Sequence, residues 1–74
     1  MTRYAVVFEK PNGNYSAYVP DLPGCVATGS SLQETERQIR EAIRFHLDGL
    51  REDGQPVQPP TSMCEYVEID GAPG

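Results

Sequence analysis

Only one stretch of this chain repeats its apolar residues at helical spacing, and the other apolar stretches alternate with period two. The helical stretch is SSLQETERQIREAIRFHLDGLREDG, Ser30 to Gly54. Leu32, Ile39, Ile43 and Leu50 fall in a narrow arc at about 100° per residue, with Ala42, His46 and Leu47 on its flanks. Ser31 followed by Glu34 marks the start, a serine and a carboxylate placed to satisfy each other's free backbone N–H groups. Gly49 weakens the helix by about 1 kcal/mol relative to alanine, and Gly54 with Pro56, Pro59 and Pro60 ends it. One helix covers one face of a sheet. The strands must therefore leave their other face for something else.

The first strand is RYAVVFE, Arg3 to Glu9, rich in β-branched and aromatic residues, with Tyr4, Val6 and Phe8 on one face and Ala5 and Val7 on the other. KPNGN follows, and its Asn12-Gly13 pair supplies a hairpin turn. YSAYVP, Tyr15 to Pro20, returns as the second strand, Tyr15, Ala17 and Val19 alternating with Ser16 and Tyr18. CVATG, Cys25 to Gly29, is a short third strand, and CEYVEID, Cys64 to Asp70, a fourth, with Val67 and Ile69 set against Tyr66 and Glu68. The expected order is β-β-β-α-β, an α+β domain over residues 1–70 with 71–74 as a flexible tail. After Pro60 only a strand and that tail are expected, with no separate DNA-binding domain.

A chain of 74 residues buries only roughly 60–65% of the surface its unfolded form exposes, so its own core is marginal. Two cysteines, Cys25 and Cys64, allow at most one bridge and match no zinc spacing. Self-association is the supplement this composition points to. Because both faces of the strands are apolar, the uncovered face, Tyr18 included, is an expected interface. Phe45 joins it, since it projects roughly opposite the helical stripe. The opening MTRYAVVFEK carries no export signal and no run is long enough to span a membrane, which gives a cytoplasmic protein with reduced thiols. Eleven acidic residues against six basic ones give a net charge of -5. That balance repels a phosphate backbone and attracts a basic protein.

YVPDLPGCVATG, Tyr18 to Gly29, has the look of an active-site loop, but its residues explain themselves without chemistry. Pro20 and Pro23 fix φ and end the second strand, Gly24 permits a tight reversal, and Asp21 accepts from nearby backbone N–H groups as turn aspartates do. Cys25, a small thiol opening an alternating strand, reads as packing rather than as a nucleophile paired with His46. His46 reads as an edge-of-core residue, since no second histidine completes a metal set. Glu9, Asp21, Glu65, Glu68 and Asp70 could in principle hold a metal ion pair for nucleic-acid hydrolysis, but they read as solvated strand edges. On the helix, Glu36 with Arg40 and Glu41 with Arg44 are spaced for surface ion pairs, and Arg37, Arg40, Arg44 and Arg51 form a partial basic row. No cofactor, metal or catalytic residue is expected.

The run from Tyr15 to Pro60 resembles the HicB antitoxin family, through the VPDLPGC corner, the Gly-Ser-Ser-Leu-Gln-Glu helix start and the HLDGLREDGQPV exit. The resemblance implies a partial ribonuclease-H-like fold without catalytic carboxylates, assembled into dimers or tetramers. It also implies a partner: a small basic HicA-type toxin that cleaves mRNA and that the antitoxin neutralises by occlusion. Two alternatives stand beside this reading, an orphan oligomer without a toxin and a metal-dependent ribonuclease-H-like nuclease.

Overall fold

A computed structural model describes residues 2–71 and 73 of the chain. Three strands, β1 (Val7–Glu9), β2 (Tyr15–Tyr18) and β3 (Val26–Gly29), precede one helix, α1 (Leu32–Glu52). The strands form an antiparallel meander in the order β1-β2-β3, so β1 and β3 are both edges. The register sets Phe8 beside Ala17 and Ala17 beside Ala27. Those three share a face, and α1 covers it. The architecture is α+β, as the pattern of periods predicts.

The core is small because the chain is. Ala17, Val19, Leu22, Cys25 and Ile39 are buried, and Tyr4, Val6, Phe8, Ala27, Ala42, Ile43 and Leu47 pack around them. Small residues at the centre of the sheet let the helix come close. Gly29 ends β3 against the first turn of α1, where a Cβ would stand 2.5 Å from Thr35 Oγ1 and 2.9 Å from the Thr35 backbone nitrogen. Thr35 is fully buried, and its hydroxyl donates to the Ser31 carbonyl at 2.7 Å. It takes the place expected for Leu32, which stays half exposed.

The strands are shorter than their sequence patterns. Extending the β1–β2 register beyond Val7 and Tyr18 would set Ala5 opposite Pro20, which has no N–H to donate. Val19 instead donates to the Cys25 carbonyl at 3.2 Å, and Leu22 and Cys25 donate to Val19 and Leu22 at 3.1 and 3.0 Å. These bonds close the corner into a compact knot with the Leu22 side chain turned into the core. Gly24 makes the reversal at φ 85°, a conformation that side chains with a Cβ resist.

The fourth strand expected at Cys64–Asp70 is not formed. Residues 61–70 carry no ladder and are exposed throughout. Alternation gives a segment two faces, but a strand also needs a neighbour for its N–H and C=O groups, and this segment has none among the described residues. Of the tail expected at 71–74, Ala72 and Gly74 lie outside the described residues, as does Met1.

Candidate functional site

Four residues of the corner and two at the helix start are the sequence's candidates, and the structure gives each a place. Pro20, Pro23 and Gly24 are exposed on the knot between β2 and β3. Asp21 does more than a turn aspartate. Its Oδ2 accepts from the Thr61 and Ser62 backbone N–H groups at 3.0 and 2.9 Å, and its Oδ1 from their hydroxyls at 3.0 and 2.8 Å. The expectation of nearby backbone donors is thereby corrected: the donors lie 40 and 41 residues away. The Ser62 N–H and hydroxyl, then those of Thr61, hold the Asp21 carboxyl below its ordinary value. Tyr4 adds a second tie to the same connector, its hydroxyl donating to the Gln58 carbonyl at 3.1 Å.

Ser31 is the N-cap of α1, extended at φ -140° and ψ 162°, and its Oγ accepts from the Glu34 N–H at 3.1 Å. The other half of the expected box is displaced by one residue. Glu34 Oε2 accepts from the Ser30 hydroxyl and N–H at 2.6 and 2.8 Å, rather than from Ser31. These bonds, the hydroxyl first, lower the Glu34 carboxyl below its usual range. The carboxylate also faces the positive end of the helix.

The candidate interface residues are solvent-facing. Phe45 is 83% exposed, Tyr18 42% and Val26 63%. Val7, Tyr18 and Val26 stand side by side on the open face of the sheet, one from each strand. Val26 and Phe45 both line an open depression of about 530 Å³ beside the β3 edge, with Cys25 and His46 in its wall. An apolar strip thus runs from the open sheet face around β3 to the helix. Sequence periodicity placed Tyr18 and Phe45 outside the core, but the register and the helix packing make them ends of one surface.

Cys25 and His46 share that depression without forming a reactive pair. Cys25 is buried, and burial pushes its thiol up, away from the thiolate a nucleophile needs. Cys64 is exposed, and both cysteines are free thiols. Among the described residues no group of three His, Cys, Asp or Glu side chains is placed to hold a metal ion. Three of the four arginines of the basic row form ion pairs along the helix: Arg40 with Glu36, Arg44 with Glu41 at 2.8 Å, and Arg51 with Asp48 at 3.2 Å. No helix among the described residues is long and apolar enough to cross a membrane.

A second groove, about 610 Å³, opens between the free edge of β1 and α1. Its floor is Tyr4, Val6, Phe8, Ile39, Ile43 and Leu47, and Arg3, Arg40 and Arg44 stand among its lining residues together with Glu36. Nothing in the sequence pattern alone marks this groove, because it needs the edge strand and the helix side by side.

Comparison with known proteins places these features. A family described as the HicB-like antitoxin of bacterial toxin–antitoxin systems matches residues 4–71. The 14.9 kDa protein of the rep–hol intergenic region of Haemophilus phage HP1 is 36% identical over 64 residues, 86% of this chain and 48% of that protein. A UPF0150 protein of Helicobacter pylori is 47% identical over 47 residues, 64% of this chain and 65% of that one. The chain thus spans about half the length of the phage relative and just under two thirds of the Helicobacter one. The crystal structure of the N-terminal domain of Burkholderia pseudomallei antitoxin HicB superposes with a TM-score of 0.67 at 31% identity, covering 82% of this chain and 69% of that domain. A family match over residues 4–71, nearly the whole chain, makes this protein a member of the HicB-like antitoxins of bacterial toxin–antitoxin systems.

Proposed function

We propose that this chain neutralises a small basic HicA-type, mRNA-cleaving toxin by covering its working surface, acting as a self-associating binding protein in the cytoplasm rather than as an enzyme. The observation that carries the reading is the antitoxin family match over residues 4–71. Two physical features support it. A net charge of -5 draws a basic protein in and speeds its encounter. The strip formed by Tyr18, Val26 and Phe45 is the apolar surface on which such a partner gains contact energy, since exposed aromatic residues next to aliphatic ones are the usual anchors of an interface. Inhibition by occlusion asks for no catalytic group, and it suits a site whose one deep thiol is held protonated.

The test begins with the tagged chain pulled down from its host at low salt, with mass spectrometry of what accompanies it. A stoichiometric small basic protein whose RNA cleavage is suppressed by this chain is the expected result. Recovery of the chain alone, as a clean oligomer, overturns the antitoxin role in favour of a toxin-free assembly. Replacing Phe45 with aspartate in the reconstituted pair should then weaken inhibition by at least about tenfold, the scale of one lost interface anchor.

A further inference from the structure

The net charge of -5 is not spread along the chain. Up to Arg51, six acidic residues are matched by all six lysines and arginines, and from Glu52 onward there are five carboxylates and no base. Three of those five, Glu65, Glu68 and Asp70, lie on the arm Met63–Asp70 among its apolar side chains. We infer that this arm captures the basic toxin, ordering as an acidic strand on the toxin's surface beside the Tyr18–Val26–Phe45 strip. This rests on the antitoxin role of the proposed function and names the segment that engages the partner.

The arm is apolar as well as acidic, and its own chain does not cover it. Met63, Tyr66, Val67 and Ile69 are 84%, 106%, 73% and 67% exposed, and residues 61–70 carry no ladder. An alternating segment this open to water gains free energy when a partner covers it. Its root is fixed. Gln58 accepts from Tyr4 ahead of β1, and Asp21, past the end of β2, then holds the N–H groups of Thr61 and Ser62. The connector therefore travels from the β1 side of the molecule to the corner. Tyr18 and Val26 form the ladder pair nearest that corner, so the arm starts at the strip's end of the sheet. Asp53, another of the five carboxylates, lines the depression that holds Val26 and Phe45.

Charge complementarity chooses the partner. A second copy is acidic over the same residues, and its Arg40, Arg44 and Arg51 are engaged by Glu36, Glu41 and Asp48. The chain's own β1–α1 groove offers Arg3 together with Arg40 and Arg44, two of the arginines already paired. A basic protein has cations to spare for three carboxylates spaced along about 17 Å of extended chain. Tyr66, Val67 and Ile69, which lie between and beside them, supply the apolar contact. Steering by the carboxylates acts before contact, and burial of the apolar side chains acts after it. A segment that orders only on binding gives up some affinity but can follow the partner's surface.

The experiment uses the full chain and the toxin recovered with it from the host. In Glu65→Gln/Glu68→Gln/Asp70→Asn, association at low salt should slow at least about tenfold in stopped-flow mixing, and its salt dependence should flatten. Glu36→Gln/Glu41→Gln/Asp48→Asn removes the same charge from paired positions on α1 and should slow association by under about threefold. In Val67→Ser/Ile69→Ser, whose native side chains are exposed in the free chain, dissociation should quicken at least about tenfold. Amide exchange at Glu65–Asp70 should be fast in the free chain at every concentration and slow in the complex. Equal slowing in the two charge variants, or arm amides that stay fast in the complex, overturns the arm's role, while suppression of RNA cleavage by the wild-type chain keeps the antitoxin reading. Arm amides already slow in the free chain overturn it too, and assign the arm to a second copy if protection rises with concentration or to its own groove if it does not. A chain that recovers no basic toxin overturns both.

Discussion

Asp21 is the residue whose role depends most on the whole fold. With four donors on one carboxylate, its folded-state value lies below the ordinary 3.8. A depressed carboxyl contributes its stabilisation above the unfolded value, and that contribution is lost as pH falls through the lower folded value. Titration into acid should therefore release the Thr61–Ser62 connector, with amide exchange at those two residues rising below about pH 4 while the β2 and β3 amides stay protected. In Asp21→Asn the same amides should exchange fast at neutral pH and show no such acid step. Gly29 makes the opposite kind of demand, for absence rather than presence of atoms. Gly29→Ala should cost about 1–3 kcal/mol by denaturant titration, because the added Cβ meets backbone as well as the Thr35 side chain and neither can yield cheaply. A cost below a few tenths would show that α1 does not sit this close.

At the scale of elements, α1 was readable because its signals are local. Ser31 and the apolar spacing act within a turn or two, and the helix occupies Leu32–Glu52. Ser31→Ala should destabilise the fold by about 1 kcal/mol in the same titration. Glu34→Gln should cost less, since an amide oxygen can still accept from Ser30. The strands were readable as pattern but not as length. Arg3 to Val6 alternates as well as Val7 to Glu9, yet only the latter pairs with β2, because Pro20 stands where the ladder would continue. Cys64–Asp70 alternates too and pairs with nothing. Periodicity reports which side chains can share a face, and it is silent on whether a neighbouring strand is available.

For the molecule as a whole, a small core and a large exposed apolar surface belong together. Five buried apolar residues among the described ones are few for a stable domain, while Tyr18, Val26, Phe45, Val67 and Ile69 stay exposed. Charge sets the approach of a partner. Association with a basic toxin should slow steeply between low and physiological salt, with dissociation much less affected, as stopped-flow mixing at several ionic strengths would show. The amino-acid sequence by itself determined the α+β class, the hairpin, the helix and its cap, the acidic balance and the family, because these depend on residues within a few positions of one another or on totals. Only the tertiary structure decided that Asp21 clasps Thr61 and Ser62, that Thr35 rather than Leu32 enters the core, that Tyr18, Val26 and Phe45 form one surface, and that the last strand pattern stays open. Those outcomes depend on which distant groups the closed chain brings within bonding reach, and no local spacing encodes that.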